Sequence, residues 1–169
     1  VLFRSGLVSG FFRNRIDDVL MRICDVMMSF PSEVMILAIV GMTGPGLENV
    51  VIANVVAKWP WYARMVRSIV RQYSDKDYIR FAKVAGGSSI RIMMRHLLPG
   101  TAGELFVLTT LDTGSVILMI SALSFLGLGV QPPTPEWGMM LNEAKEVMTL
   151  YPLQMIPAGM AILLVVAAF

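Results

Sequence analysis

The chain predicts an all-α fold that crosses a membrane several times, and three observations carry this. Hydrophobic residues fill 56% of the 169 positions and charged residues 15%, with a mean hydropathy of +0.67, beyond what a soluble domain carries. The charges cluster, leaving Thr113–Pro135 and Val147–Phe169 with none, each long enough for a bilayer-spanning helix, and Val34–Leu47 as a shorter uncharged run. The clusters also differ in sign. Arg13, Arg15 and Arg22 form one basic group and Lys58–Arg95 a larger one, whereas Gly41–Asn49 and Val130–Tyr151 hold only Lys145 among several glutamates. The excess of Lys and Arg on cytoplasmic loops then assigns Phe11–Arg22 and Lys58–Arg95 to the cytoplasm and the other two loops to the outside.

Taken in order, Val1–Phe12 reads as the tail of a span, with Gly6-x-x-x-Gly10 allowing a close helix approach. There is no initiating Met, and both ends lie inside apolar runs, so a piece of a longer protein is expected; Arg4, out of place in a span, suggests that the first residues are a foreign scar. Asp17 to Met42 is predicted as one helix kinked at Pro31, followed by a tight external turn at Thr43–Gly46. Leu47–Arg71 returns inward with a kink at Pro60, where Trp59, Trp61 and Tyr62 suit the headgroup level.

Next comes a polar island, Tyr73–Gly100, between apolar runs. Ser74 suits the N-cap of a short helix with Asp75 and Asp77 in its first turn. The apolar face is predicted as Tyr78, Phe81, Ala82 and Ala85, spaced i, i+3, i+4, i+7. Gly86-Gly87 ends that helix and Ser88 or Ser89 starts a second, with Ile90, Met93, Met94 and Leu97 apolar and Arg91 and Arg95 polar. Pro99-Gly100 is expected to break it. Thr101–Phe125 forms the next span, outward. Pro132, Pro133 and Pro135 make a rigid external segment, Trp137–Val147 a short interfacial helix, and the last span starts near Tyr151.

The chemistry that is missing narrows the function. No G-x-x-x-x-G-K-[ST] loop occurs, so the chain cannot cradle ATP phosphates itself. Gly127-Leu-Gly129 lacks the third glycine of a dinucleotide turn. There is no H-E-x-x-H or G-x-S-x-G, and His96 has no second catalytic group beside it, so an enzyme is not expected. One cysteine, Cys24, excludes an internal disulfide or a multi-thiolate metal site; no metal and no cofactor are expected in this chain. The basic residues carry no stacking-aromatic pattern, which argues against nucleic acid. The 14 methionines read as adaptable packing rather than copper ligands.

Charged side chains at membrane depth default to functional candidates. Asp112 falls near mid-span, where it either attracts a cationic substrate or pairs with a neighbouring subunit. Glu33 follows the Pro31 kink. Asp25 is expected to pair with Arg22 one turn earlier, Glu104 to snorkel toward the cytoplasmic end, and His96 to sit at a structural interface.

From Tyr78 to Pro99 the chain resembles the cytoplasmic coupling loop of ABC-importer permeases, whose motif runs Glu-Ala-Ala-x-x-x-Gly and closes on Ile/Leu-x-Leu-Pro. Ala82, Gly86 and His96-Leu-Leu-Pro99 match it; Arg80 and Phe81 stand where Glu and the first Ala are usual, which puts in doubt any salt bridge of that Glu. Asp18–Asp25, Phe30-Pro31, Gly44-Pro-Gly46, Trp61-Tyr-Ala-Arg-x-x-Arg67 and Leu123–Gly138 are similar to the second permease subunit of dipeptide, oligopeptide and nickel importers. Trp59–Arg67 and Thr110-Leu-Asp-Thr-Gly114 lie closer to the nickel branch.

The resemblance implies an ABC-importer type I permease fold, present here as about four full spans plus a partial one. It makes residues 1–169 a single transmembrane permease domain in part, with 74–97 as its cytoplasmic coupling loop. The ATPase-coupling residues it implies are Tyr78, Arg80, Phe81, Ala82, Lys83, Gly86, Ser88 and Pro99; Asp112 and Glu33 are the pathway candidates. Its partners would be a homologous permease in a heterodimer, ATP-binding subunits, an extracytoplasmic substrate-binding protein and membrane lipid. The implied location is the bacterial or archaeal inner membrane, and the implied cargo a nickel or metal chelate or a di- or oligopeptide. The alternative, from another class, is a subunit of an ion-coupled secondary transporter using Asp112 and Glu33.

Overall fold

The computed structural model describes residues 6, 9–11 and 15–169; the remainder of Val1–Phe12, including Arg4, lies outside the described residues. Among the described residues there are helices and turns but no strand. The chain forms two compact units, Val1–Pro31 with Lys58–Leu108 and Ser32–Ala57 with Thr109–Phe169.

The helices are α1 (Arg15–Met28), α2 (Ser32–Thr43), α3 (Leu47–Ser74), α4 (Asp77–Val84), α5 (Ser89–Ile92), α6 (Leu98–Phe125), α7 (Trp137–Glu146) and α8 (Met155–Ala167). A π-helical turn, Met93–Leu97, joins α5 to α6, and a short 3₁₀ turn precedes α8. The single kinked helix expected from Asp17 to Met42 is instead two helices. Ser29 closes α1, its backbone N–H reaching the Asp25 carbonyl at 3.1 Å and its Oγ the Val26 carbonyl at 2.6 Å. Pro31 has no N–H with which to continue and restarts the chain at α2. Pro60, by contrast, is absorbed inside α3 without a break.

Continuous helix runs from Ser89 to Phe125, 37 residues, and is long and apolar enough to cross a membrane; α1 and α2 together make a second candidate, as a broken span. Among the described residues, helix length and composition do not reproduce four such spans. α3 is long, but Asn49, Asn54, Lys58 and Arg64 make it too polar for the same criterion, and α8 is a shorter apolar helix.

In the first unit, Gly6 and Gly10 lie flat on α3, as the small-xxx-small spacing predicts. A methyl at Gly6 would stand 2.7 Å from the Ala63 carbonyl oxygen, and one at Gly10 2.7 Å from Cγ1 of Val70. Around that contact Val66, Val70, Ile79, Ile92, Leu97 and Leu105 form a buried cluster. In the second unit, Ile36 and Val40 of α2 pack with Val50, Ala53 and Ala57 of α3 and with Leu123 of α6. Where water surrounds such a cluster, each fully buried Val or Ile contributes about 1.5–3 kcal/mol. Inside lipid that drive disappears, and close packing takes its place.

Candidate functional site

The polar island folds into a helix pair hung between α3 and α6. Ser74 is not the cap predicted for it. It is buried as the last residue of α3, and its Oγ donates to the Val70 carbonyl at 2.7 Å. A turn follows, with the Lys76 N–H on the Tyr73 carbonyl, and α4 begins at Asp77 with no side-chain cap. The reason is local: Ser74's hydroxyl is already committed to the helix behind it.

The break between the two helices forms as the glycines predict. Gly86 takes φ +78°, a left-handed conformation that costs a residue with a Cβ about 1–2 kcal/mol. The Gly86 N–H reaches the Lys83 carbonyl at 3.1 Å and the Gly87 N–H the Ala82 carbonyl at 3.0 Å, the pair of bonds that defines a Schellman ending. Ser88 then caps α5, accepting from the Arg91 N–H at 3.4 Å.

The buried face differs from the predicted one. Ile79 is fully buried with Ile92 and Leu97, and Ala82 and Met93 flank them. Phe81 is 74% exposed, Val84 88%, Ile90 68% and Met94 56%, with Tyr78 also open. A two-turn helix with apolar residues at 78, 79, 81, 82, 84 and 85 is apolar nearly all round, so its spacing selects no face. The return of the chain through Gly86-Gly87 selects it, by bringing Ile92 and Leu97 beside Ile79. Arg80 is exposed, and the Lys83 ammonium lies 4.9 Å over the Phe11 ring.

Pro99 does not break the helix, contrary to expectation. Ahead of it the backbone widens into the π turn, in which the Leu98 N–H bonds to the Met93 carbonyl. In a regular α-helix the proline ring would press on the carbonyl four residues back, and a widened turn is the way a helix relieves that clash. His96 sits exposed within this turn.

Two sets of polar contacts tie the pair's supports together, and sequence reasoning missed both. Arg64, Arg67 and Arg71 recur on one face of α3 at i, i+3 and i+7, a signal that could have announced them. Arg67 grips Asp17 of α1 through two nitrogens, at 2.5 and 2.6 Å, and Arg71 adds a bond at 2.7 Å; Ser9 also donates to Asp17. Asp25 pairs with Arg64, not with Arg22 as predicted. The helix-to-helix partner wins because α1 packs its acidic side against α3. Asp17 is 2% exposed, whereas Arg64 and Asp25 are both about half exposed. Removing a partner from the buried carboxylate costs on the order of 3–5 kcal/mol, against roughly 0–1 kcal/mol for the exposed pair.

The second set is Tyr73, whose hydroxyl donates to Glu104 Oε1 at 2.9 Å. That bond, then partial burial, holds the phenol above its ordinary pKa, so it stays a donor. Glu104, expected to snorkel, therefore has a protein partner in Tyr73.

The pathway candidates lie in the second unit: Asp112 is half-buried midway along α6, and Glu33 is exposed in the first turn of α2, accepting from Ser32 Oγ at 3.0 Å. No group of three His, Cys, Asp or Glu side chains able to hold a metal occurs among the described residues.

Compared with known proteins, residues 3–169 match the family described as binding-protein-dependent transport system inner membrane component. The chain belongs to that family. It is 44% identical over 154 residues to the metal-staphylopine import system permease protein CntC of Staphylococcus aureus, covering 91% of this chain and 53% of that protein. It is 40% identical over 165 residues to the nickel transport system permease protein NikC of Escherichia coli, covering 98% and 58%. To the glutathione transport system permease protein GsiD of Pectobacterium atrosepticum it is 40% identical over 164 residues, covering 97% and 54%. The chain thus spans little more than half the length of these curated relatives.

The type I permease fold expected from the coupling-loop resemblance is the fold of this family. The other long motif, Leu123–Gly138, folds as a sealed turn in the second unit. Gly127 ends α6 at φ +78°, and Ser124 Oγ accepts the Val130 N–H at 3.2 Å. Asn142 Nδ2 donates to the Phe125 carbonyl at 2.8 Å, and Glu136 caps α7, taking the Met139 N–H at 2.9 Å and the Ser121 hydroxyl at 3.2 Å. Gly138 lies directly on the backbone of Ser121.

Proposed function

We propose that the chain is part of a membrane-spanning permease subunit of an ATP-driven importer, and that its ATPase docks on the α4–α5 pair. One observation carries this reading. Tyr78, Phe81, Val84, Ile90 and Met94 of the pair stand out to solvent along with Arg80, Arg91 and Arg95, apolar surface with basic neighbours that the described residues leave uncovered. Such patches mark partner surfaces. Without a phosphate loop of its own, the chain needs a partner to supply hydrolysis.

The pair lies on the cytoplasmic side by the Lys/Arg asymmetry, in a multi-pass inner-membrane protein. A homologous permease completes the pathway, and a substrate-binding protein delivers cargo from outside. Closure of the ATPase subunits then moves the pair as a rigid body and alternates access. The cargo is a small polar solute, a metal chelate or a short peptide, with the metal branch favoured by Thr110–Gly114 and by two of the relatives. Asp112 and Glu33 are the carboxylates proposed to shape the route, Asp112 either facing a cation or holding a neighbouring helix. Nothing observed favours the ion-coupled alternative, because the family is one of binding-protein-dependent systems.

The test is Phe81→Asp with Val84→Asp in the full-length permease. Both sites are exposed, so stability should change by less than about 0.5 kcal/mol, while co-purification of the ATPase is lost. Co-purification at the unmutated level would remove the docking surface from this pair.

A further inference from the structure

We propose that Tyr73 and Glu104 are positioning residues that hold α6 to the end of α3, from which the α4–α5 pair hangs, while Tyr78 of α4 seats on Gly100, so that α6 moves with the pair. This rests on the docking function proposed for that pair. Any push on the pair has two routes into the spanning helix. The covalent route runs through Met93–Leu97, where the π turn and Pro99 interrupt the regular bond ladder. Long helices bend at π turns and prolines, so this stretch is where a rotation arriving from α5 would be absorbed.

The second route bypasses the π turn. Gly100 and Glu104 lie one turn apart on the same face of α6, just beyond Pro99. A methyl at Gly100 would stand 3.0 Å from the Tyr78 hydroxyl and 3.4 Å from Cδ1 of Tyr73. The rings from the start of α4 and the end of α3 therefore already touch the backbone of α6. One turn on, the Tyr73 hydroxyl reaches Glu104 at 2.9 Å, and the Lys76 ammonium lies 5.7 Å over the Tyr73 ring. Behind this strap Ile79, Leu97 and Leu105 are buried in one cluster. Beyond the π turn, α6 is thus held to α3 by the Tyr73–Glu104 bond and to α4 by Tyr78 at Gly100, so α6 follows the pair instead of bending at Pro99.

The experiment uses the full-length permease assembled with its partner subunits in proteoliposomes, reading uptake and ATP hydrolysis together. Tyr73→Phe keeps the ring packing and deletes only the donor; Glu104→Ala deletes the acceptor; Glu104→Gln keeps an oxygen that still accepts. The first two should lower uptake per ATP hydrolysed by about fivefold with ATPase co-purification unchanged, and Glu104→Gln should stay within about twofold of the unmutated complex. Uptake per ATP at the unmutated level in Tyr73→Phe overturns the inference. So does a loss of co-purification in Tyr73→Phe and Glu104→Ala alike, which would make the contact structural. If the unmutated permease itself does not bind the ATPase, the docking function fails, a result separate from either outcome for the variants.

Discussion

Two glycine turns in this chain end their helices in the same way and then diverge. Gly86 and Gly127 both take φ +78°, and each is closed by the two backbone bonds of a Schellman ending, at 3.1 and 3.0 Å for the first and 2.9 and 2.9 Å for the second. Each is followed by a helix with a side-chain cap, from Ser88 and from Glu136. After Gly127 the chain seals itself: Ser124, Gln131, Glu136 and Asn142 occupy the freed backbone groups. At Gly86 no described residue comes within 4 Å of where a Cβ would stand, and the flanking helices keep Phe81, Val84 and Ile90 in the open. One local device thus serves a turn satisfied by its own chain and a turn whose unsatisfied surface is apolar. The second is the kind a partner completes.

The largest effect that separates the two turns is expected at Gly138. A Cβ there would lie 2.1 Å from the Ser121 carbonyl oxygen and 2.8 Å from its Cα, and backbone cannot step aside as a flexible side chain can. Gly138→Ala should therefore detach α7 from α6 at a cost above about 3 kcal/mol. Limited proteolysis within 131–138 and a fall in membrane accumulation would read it; an unaltered cleavage pattern would show that the turn is not sealed as described.

Gly86→Leu should separate fold from coupling. The site has room for the side chain, so the cost is the left-handed backbone alone, about 1–2 kcal/mol. Membrane insertion should survive while ATPase binding or stimulation is lost. Normal stimulation would mean that the break does not shape the docking surface.

The smallest effects compare single bonds in the two turns. Asn142→Ala frees the Phe125 carbonyl and should cost about 1 kcal/mol. Ser88→Ala removes a long, exposed cap and should cost about 0.5 kcal/mol. Thermal unfolding of the two variants side by side should rank them in that order, and the reverse order would place the tighter turn at Gly86.

Much of this was legible in the sequence because it rests on neighbours along the chain. The membrane class follows from the uncharged runs. The end of α4 follows from glycine's freedom at positive φ, and the Gly6/Gly10 contact follows from the room that small residues leave. Other features were not legible, for particular reasons. Ser74 has the chemistry of a cap, but its hydroxyl serves the helix before it. Pro99 has the chemistry of a breaker, yet a π turn absorbs it. Asp25 had a partner one turn away in Arg22, and chose Arg64 on another helix.

What the sequence determined by itself is therefore the helical class, the glycine break at Gly86-Gly87 and the basic character of the island, since each depends on a residue's own backbone preference or charge. Which face of α4 is buried, which arginine meets which aspartate, and that Tyr73 reaches Glu104 were decided only by the tertiary structure. Those choices lie between groups far apart in the chain and nearly equal in chemistry. Only the path of the backbone through Gly86-Gly87 and the packing of α1 and α6 beside α3 bring one set within bonding distance and leave the other in the open.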